Sequence, residues 1–414
     1  DATFFGFYIG PVDIFNFSLV NTITDMYKAK VYILAVLVAV WSGAWPYLKL
    51  LLLLICWYTP PSYLSRKARG HLLIFLDAFG KWCMLDAFLM CMMSVAFRFN
   101  IVVFSEKLVS VNVNVDELYG VFVFVIATIL SLVLSHAVLA YHRNSSSSRR
   151  YKLFETQYRQ FRVPCPKGSW FDVGSMKENK IADAKERLLK YVEASSCVHF
   201  RGSLFFLNTL VLVTLVACFL LIWLGAFTDA FSFTFTGIAG KLISIVEPKE
   251  IKRKHSLISI ATALAEGDAT GSEYIGVVFL QSVYLIFALL MPLILVIFLF
   301  ALWFIPMSLR DQKIVFYVTE VVSAWSAIDV FIISILSSVV EINQFAQFLI
   351  GDKCDIVEKI LKQKCFGVET KFLPGVWYIF AAALMLFFSS RIISWMSEKA
   401  LERRETLALS ASTS

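Results

Sequence analysis

Long apolar stretches, each of about 20 residues or more, recur along the whole chain and limit what it can fold into. A stretch of that length crosses the roughly 30 Å hydrocarbon layer of a bilayer as a helix, with its backbone polar groups paired internally. The composition agrees, because 58% of the 414 residues are hydrophobic and 17% are charged, against about 25% charged in a soluble domain. The sequence therefore predicts an all-α polytopic membrane protein. Its seven predicted spans are about 31–58, 72–97, 119–141, 202–227, 277–305, 314–340 and 373–395.

One motif, Trp-x-x-x-Asp-x-Phe, occurs twice within these apolar stretches. The two copies, 243 positions apart, are Trp82, Asp86 and Phe88, and Trp325, Asp329 and Phe331. The span before each copy also repeats, at an offset of 246, in Pro46, Trp57 and Pro60 and in Pro292, Trp303 and Pro306. An ordered series of matches at nearly constant offset indicates two tandem homologous transmembrane modules.

The duplication divides the chain into four parts. We predict a first transmembrane module at 1–142, a cytosolic linker at 143–202, a second transmembrane module at 203–396 and a cytosolic tail at 397–414. The second module opens with a span, 203–227, that has no counterpart in the first. We expect that span either to be missing from this sequence or to be absent from the module.

Basic residues orient the predicted spans. Arg66, Lys67 and Arg69, the 143–202 segment and the 397–414 tail all fall on one side if seven spans alternate, and an excess of Lys and Arg marks the cytosolic side. The loops on the other side are predicted to be external, small and polar. The alternating pattern of 111–115 predicts a short β-strand there. The net charge of +7 is read as this loop asymmetry and not as a nucleic-acid site.

The two motif aspartates are the leading candidates for a polar site. The further candidates for lining it are Trp82, Phe88, Trp325, Phe331, Glu320 and Lys49. Asp86 and Asp329 lie about 14 to 15 residues into their spans, near or past the middle of the bilayer. An unpaired carboxylate at that depth is unfavourable and is usually functional, so each could line a polar cavity, bind a headgroup or cation, or take up protons. The structural alternative is that each Asp is a cap, bonded either to the indole N–H of the motif tryptophan four residues earlier or to a broken helix end.

Other polar residues in the spans have structural interpretations. Asp77 and Lys81 are four residues apart and are predicted to form an ion pair. Glu320 has no Lys at the matching position and needs a partner from elsewhere, while Lys49 is a candidate partner for an acid on the second span. Cys354 and Cys365, on the predicted external side, are a candidate disulfide.

Several classes of function find no support in the sequence. It contains no phosphate-binding loop, nucleophile elbow, zinc-protease helix or dinucleotide-binding turn, so we expect neither an enzyme nor a cofactor. No Cys-x-x-Cys pair is present, and no metal site is expected. A seven-span receptor is disfavoured by the duplication and by the absence of Asp-Arg-Tyr after the third span and Asn-Pro-x-x-Tyr in the seventh.

The duplicated motif, each copy following a proline-containing span and a short basic loop, resembles the paraquat-inducible protein A family. The likeness covers both modules, roughly 13–142 and 203–396, and is strongest at the six motif residues. Bacterial members have four spans per module and are associated with tunnel-forming proteins that move lipids across the envelope. They usually carry cytosolic zinc ribbons, which this chain lacks. The resemblance implies a role in lipid transport.

Two hypotheses follow. In the first, the protein is an integral membrane subunit that handles or transports lipid, or another hydrophobic substrate, through a cavity between the modules. In the second, it is a non-transporting structural or assembly subunit of a membrane complex, and the buried acids serve packing. In either case the expected partners are membrane lipids and other protein subunits. The sequence does not specify the membrane, the substrate or the energy source.

Overall fold

The fold is described from a computed structural model. The described residues are 2–4, 7–9, 19–60, 62–97, 99–103, 109–113, 119–160, 201–237, 240, 252–265, 272–361 and 367–413.

Helices account for most of both modules. The first module contains α1 (Leu19–Lys28), α2 (Tyr32–Val38), α3 (Trp45–Tyr58), α4 (Arg66–Gly80), α5 (Leu85–Phe97) and α6 (Tyr119–Gln160). The second contains α7 (Arg201–Phe227), α8 (Leu257–Ala265), α9 (Ser272–Leu285), α10 (Met291–Phe304), α11 (Leu309–Trp325), α12 (Ile328–Leu361) and α13 (Pro374–Thr413).

Six helical segments of the described chain are long and apolar enough to cross a membrane. They are Tyr32–Tyr58, Tyr119–Arg143, Phe205–Phe227, Ile275–Phe304, Leu309–Gln344 and Pro374–Thr406. The predicted second span is helical from Arg66 to Phe97 but is divided into shorter elements, and it is not among the six. Exposed Leu, Ile, Val and Phe side chains cover the outward faces of the spans. The protein is thus a multi-pass α-helical membrane protein.

The ends of the helices repeat between the modules. Helix α3 begins and ends 246 positions before α10, and a π-helical turn precedes each, at Ala39–Ala44 and Ile286–Leu290. The next helices begin after capping serines 243 positions apart, Ser65 and Ser308. Helices α5 and α12 restart at the matching positions Leu85 and Ile328. The tandem modules predicted from the motif are therefore visible as two series of coincident helix boundaries.

The repeated prolines explain the π-helical turns. Pro46 and Pro292 stand at the start of α3 and α10, directly after each turn. A proline inside a helix removes one backbone hydrogen bond, and its ring collides with the carbonyl four residues earlier. Widening the preceding turn relieves that collision without ending the span.

The repeated Trp-x-x-x-Asp-x-Phe motif marks a second irregularity in each module. In the first copy, residues Lys81–Met84 form a 3₁₀ turn between α4 and α5. In the second copy, Ser326 and Ala327 interrupt the helix between α11 and α12. The Ala327 N–H donates instead to the carbonyl of Phe287, in the π-helical turn of the preceding span, at 3.1 Å.

The motif tryptophans pack against those π-helical turns. Trp325 stacks on Phe287 with 5.5 Å between ring centroids, and Trp82 lies 4.8 Å from Trp41, the residue that matches Phe287 in the first module. Neither indole bonds the motif aspartate. The indole form of the structural alternative is therefore wrong, because the helix is irregular between the two residues and their four-residue spacing does not place them on one face. The helix-end form is seen at Asp329, whose Oδ1 accepts from the Val330 N–H at 3.0 Å where α12 begins.

Two small antiparallel sheets lie outside the spans. In the first, the strand order is β2 (Phe7–Ile9), β1 (Ala2–Phe4), β4 (Val109–Val113) and β3 (Phe99–Val103). The strand predicted at 111–115 is confirmed, beginning and ending two residues earlier. In the second, the order is β6 (Lys252–His255), β5 (Phe231–Thr236) and β7 (Gly367–Phe372). The alternating Phe and Ser or Thr of β5 buries Phe231, Phe233 and Phe235.

The predicted linker begins as an extension of a span. Helix α6 continues without interruption to Gln160, so the serine-rich and arginine-rich start of the predicted linker is helical. Once a span has paid the entropy of nucleation, each added residue gains a hydrogen bond, and polar residues can continue the helix into water. The expectation of a metal-free linker concerns mainly residues 161–200, which lie outside the described residues.

The histidine at the end of β6 gives a pH-dependent prediction. His255 packs beside Phe231 and Phe233, and burial, with a smaller contribution from Arg253, lowers its pKa from 6.5 to about 4. The unfolded chain therefore binds a proton between about pH 6.5 and 4 that the folded sheet does not bind. Stability should fall by up to about 3 kcal/mol as the pH drops through that window.

Thermal unfolding between pH 7.5 and 4.5 checks this expectation. His255→Phe should flatten that part of the pH profile, whereas His71→Phe, an exposed site on α4, should leave the slope in place. An unchanged slope in His255→Phe would contradict the assignment.

Candidate functional site

A cavity of about 280 Å³ lies between the two modules. The first module contributes α4, the 3₁₀ turn and α6 to its walls, and the second contributes α10, α11, α12 and α13. Six charged side chains line it, and these are Asp77, Lys81, Arg143, Glu320, Asp329 and Arg391. Apolar side chains and four serines, Ser323, Ser326, Ser390 and Ser394, form much of the remaining wall.

The predicted ion pair between Asp77 and Lys81 is wrong, since Lys81 pairs across the module boundary. Its Nζ lies 2.8 Å from Oδ2 of Asp329 and also donates to the carbonyl of Ser326 at 2.8 Å. Helix α4 ends at Gly80, and the 3₁₀ turn rotates Lys81 off the face that carries Asp77. The ammonium thus neutralises the second motif aspartate and caps the helix break beside it.

A second ion pair crosses the module boundary nearby. Arg143 on α6 binds both carboxylate oxygens of Glu320 on α11, and its Nη2 is 2.9 Å from Oε1. A two-pronged pairing of this kind is the preferred geometry between a guanidinium and a carboxylate. Glu320, which the sequence left without a partner, therefore obtains one from the other module.

His136 lies between Asp77 and Trp325, the tryptophan of the second motif copy. Trp325 Nε1 donates to His136 Nε2 at 2.9 Å. An indole can only donate, so Nε2 carries no proton, and the single proton of a neutral imidazole lies on Nδ1. Nδ1 is 2.9 Å from Asp77 Oδ1, but that buried oxygen lacks a properly aligned hydrogen bond. A neutral His136 does not cancel the charge of Asp77.

Lys49 does not form the ion pair expected of it. Its side chain is fully buried, and Nζ donates to the carbonyl of Ser131 on α6 at 3.2 Å. Gly80 makes room for the ammonium, because a Cβ at that position would lie 2.8 Å from Nζ. Lys49 does not line the cavity, and Asp77 feels its charge only at longer range than an ion pair.

The two motif aspartates differ in their surroundings. Asp329 lines the cavity, whereas Asp86 is half-buried and does not. Within the described part of the chain Asp86 makes no hydrogen bond or ion pair. The sequence already contains the reason, because the residue that matches Lys81 in the second module is Ala324. Alanine offers no cation, so the Lys81–Asp329 pair has no counterpart at Asp86.

The motif phenylalanines are core residues and do not line the cavity. Phe88 and Phe331 are almost completely buried and meet edge to face across the module boundary, with centroids 5.8 Å apart. Both also contact the ring of Tyr284. Their role is to join the modules through apolar burial.

A further cross-module contact was not predicted. The Glu341 carboxylate on α12 accepts hydrogen bonds from the N–H groups of Ile33, at 3.1 Å, and Leu34, at 2.9 Å. These amides open α2, whose first-turn N–H groups have no partner within the helix. A carboxylate there is also favoured by the helix dipole. In the sequence this contact is signalled only by Glu341 itself, an acid at the end of a predicted span, and that does not reveal its partner.

The candidate disulfide lies outside the described residues. Cys365 and the side chain of Cys354 both fall there, so their pairing stays a prediction.

The fold and this site define a class of protein, a membrane protein of two tandem helical modules with a charged cavity between them. A sequence profile of the family described as Paraquat-inducible protein A matches residues 15–138 and again residues 242–354, one match in each module. The chain belongs to the paraquat-inducible protein A family. Neither the curated proteins nor the solved structures contain a match to it.

Proposed function

We propose that the protein is a membrane subunit that handles lipid, or another amphiphilic substrate, through the cavity between its two modules. The observation that supports this most is the composition of the cavity wall. Charged side chains and serines lie beside Phe79, Trp82, Leu139 and Phe387 in one space. A ligand matched to that wall has a polar headgroup and an apolar body.

The size of the cavity suits a headgroup better than a whole lipid. A volume near 280 Å³ is at the lower limit of small-molecule sites, which run from about 300 to 1,000 Å³. In the proposed complex the headgroup occupies the cavity and the acyl chains extend along apolar helix surfaces. The role needs no catalytic step, but directional transport needs a partner protein, proton coupling or a downhill gradient.

The alternative of a non-transporting structural subunit is supported by a specific observation. Two of the three acids in the cavity are neutralised by cations of the other module, as expected of packing devices. The two functions make opposite predictions for a variant that removes a pair of charges without leaving one charge alone.

The double variant Lys81→Met/Asp329→Leu provides that test. Replacing a buried ion pair by apolar residues of similar volume is often neutral for stability. Lipid handling predicts that transfer of a fluorescent phospholipid from proteoliposomes to acceptor vesicles falls at least about fivefold, because the wall beside the headgroup loses two charged side chains, a change worth roughly 1 kcal/mol or more.

Asp86→Asn is the matched control. It alters the equivalent aspartate of the other module outside the cavity, and transfer should stay within about twofold of wild type. Wild-type transfer by a folded double variant would support the structural subunit instead.

A further inference from the structure

Within the part of the chain that the structure describes, two of the charged side chains in the cavity have no ion-pair partner. Its six charged side chains comprise three acids and three bases. Lys81 with Asp329 and Arg143 with Glu320 account for four of them. The remaining two, Asp77 and Arg391, have opposite charges and no ion-pair partner of opposite formal charge among the described residues.

Asp77 is the acid in the cavity that has no cationic partner in the described chain. The residue is 7% exposed, its Oδ1 lies 2.9 Å from His136 Nδ1 without a well-aligned hydrogen bond, and no donor of the described chain binds its Oδ2. His136 approaches it as a neutral ring, and the ammonium of Lys49 points to the Ser131 carbonyl. A buried carboxylate whose nearest donor is a neutral ring keeps an uncompensated charge, which is unfavourable, and a ligand that supplies a charged donor would remove that penalty.

Arg391 is the base in the cavity that has no anionic partner among the residues described. Its guanidinium lies 5.8 Å from the ring centroid of Phe387, one turn earlier on α13, so the aromatic wall of the cavity positions it. Ser394, three residues later and on the same face, also lines the cavity and has no hydrogen-bond acceptor among the described residues. A guanidinium and a hydroxyl that both lack acceptors form a site for a phosphate group.

The two unpaired groups come from different modules and line the same cavity. Asp77 is on α4 of the first module and Arg391 is on α13 of the second, and both helices pack against α11. The cavity that both side chains line has a volume of about 280 Å³, which is the size of a single headgroup.

We propose that the cavity selects a zwitterionic phospholipid with a primary ammonium headgroup, its phosphate held by Arg391 and Ser394 and its ammonium held by Asp77. This inference rests on the proposed lipid-handling function and adds the class of lipid. A phosphoethanolamine headgroup carries a phosphate for Arg391 and Ser394 and a primary ammonium for Asp77. A choline headgroup has the same net charge but no N–H to donate to Asp77, and a phosphoglycerol headgroup has no cation.

Native mass spectrometry of the purified full-length protein tests the proposal. The protein is offered an equimolar mixture of phospholipids with identical acyl chains and ethanolamine, choline or glycerol headgroups. The wild type should retain the ethanolamine lipid about tenfold better than the choline lipid, as a charge-assisted hydrogen bond implies. This comparison changes only the lipid and needs no variant to fold.

Two variants separate the two contacts. Asp77→Asn should bring the ethanolamine-to-choline ratio close to one. Arg391→Gln should weaken retention of both lipids, roughly tenfold, and leave their ratio unchanged, because the phosphate is common to both. Arg310→Gln is the matched control, an exposed arginine at the start of α11 that does not line the cavity, and it should behave as wild type.

The other outcomes are equally clear. Equal retention of ethanolamine and choline lipids by the wild type, or stronger retention of the glycerol lipid, would overturn the headgroup assignment and leave lipid handling intact. If the protein retains no phospholipid of any kind, the proposed function fails and the assignment fails with it.

Discussion

Replacing Lys81 by methionine is expected to lower the free energy of unfolding by about 3–5 kcal/mol. The Lys81 and Asp329 side chains are only 12% and 22% exposed, and they contribute opposite charges from different modules. Methionine fills most of the lysine volume, so little of the loss comes from packing. The loss comes from an Asp329 carboxylate left without its cation and a Ser326 carbonyl left without its donor.

A double-mutant cycle isolates the pair. Asp329→Leu alone should be about as harmful as Lys81→Met, whereas the two together should lose only about 1 kcal/mol, because no lone charge remains. Denaturant titration of the four proteins in mild detergent measures the coupling. Additive losses would show that the ion pair is not what joins the modules here. Lys28→Met, at the exposed Lys28–Asp25 pair, should change stability little.

Glu341→Ala is expected to cost about 3 kcal/mol. The change leaves two backbone N–H groups at the start of α2 without an acceptor, and one of them belongs to Leu34, which is fully buried. Each hydrogen bond to a charged acceptor contributes roughly 1.5–3 kcal/mol. Part of that is recovered by water at Ile33, which is exposed. The carboxylate also belongs to the other module, so its loss should loosen the contact between α12 and α2.

Hydrogen exchange locates this effect. The amides of α2 should exchange faster in Glu341→Ala than in wild type, while α10, which Glu341 does not touch, should be unchanged. Glu341→Gln keeps one acceptor oxygen and should show a smaller loss. Glu369→Ala, at an exposed position on β7, serves as the control. Unaltered exchange of Ile33 and Leu34 in Glu341→Ala would rule out the capping role.

The sequence by itself determined the architecture, because the features that specify it are local. Apolar stretches of bilayer length require helices, and a proline at a fixed place in a span requires a distorted turn before it. Both act within one turn of helix, so the repeats of Pro46 in Pro292 and of Trp82 in Trp325 reappear as repeated boundaries. The offset of 246 also matches Trp41 to Phe287, and that match could have predicted the ring beneath each motif tryptophan.

The partners of the charges were decided only by the tertiary structure. Lys81 has an acid four residues away, and a regular helix would pair them, but the 3₁₀ turn redirects the lysine to Asp329, 248 positions later in the chain. Arg143 and Glu320, Trp325 and His136, and Glu341 and α2 likewise meet across the module boundary. The two modules share one local sequence pattern. The contacts between the modules, however, have no counterpart within either module, so the repeat does not predict them. Two equivalent aspartates therefore differ in the folded protein, because only Asp329 faces the lysine of the other module.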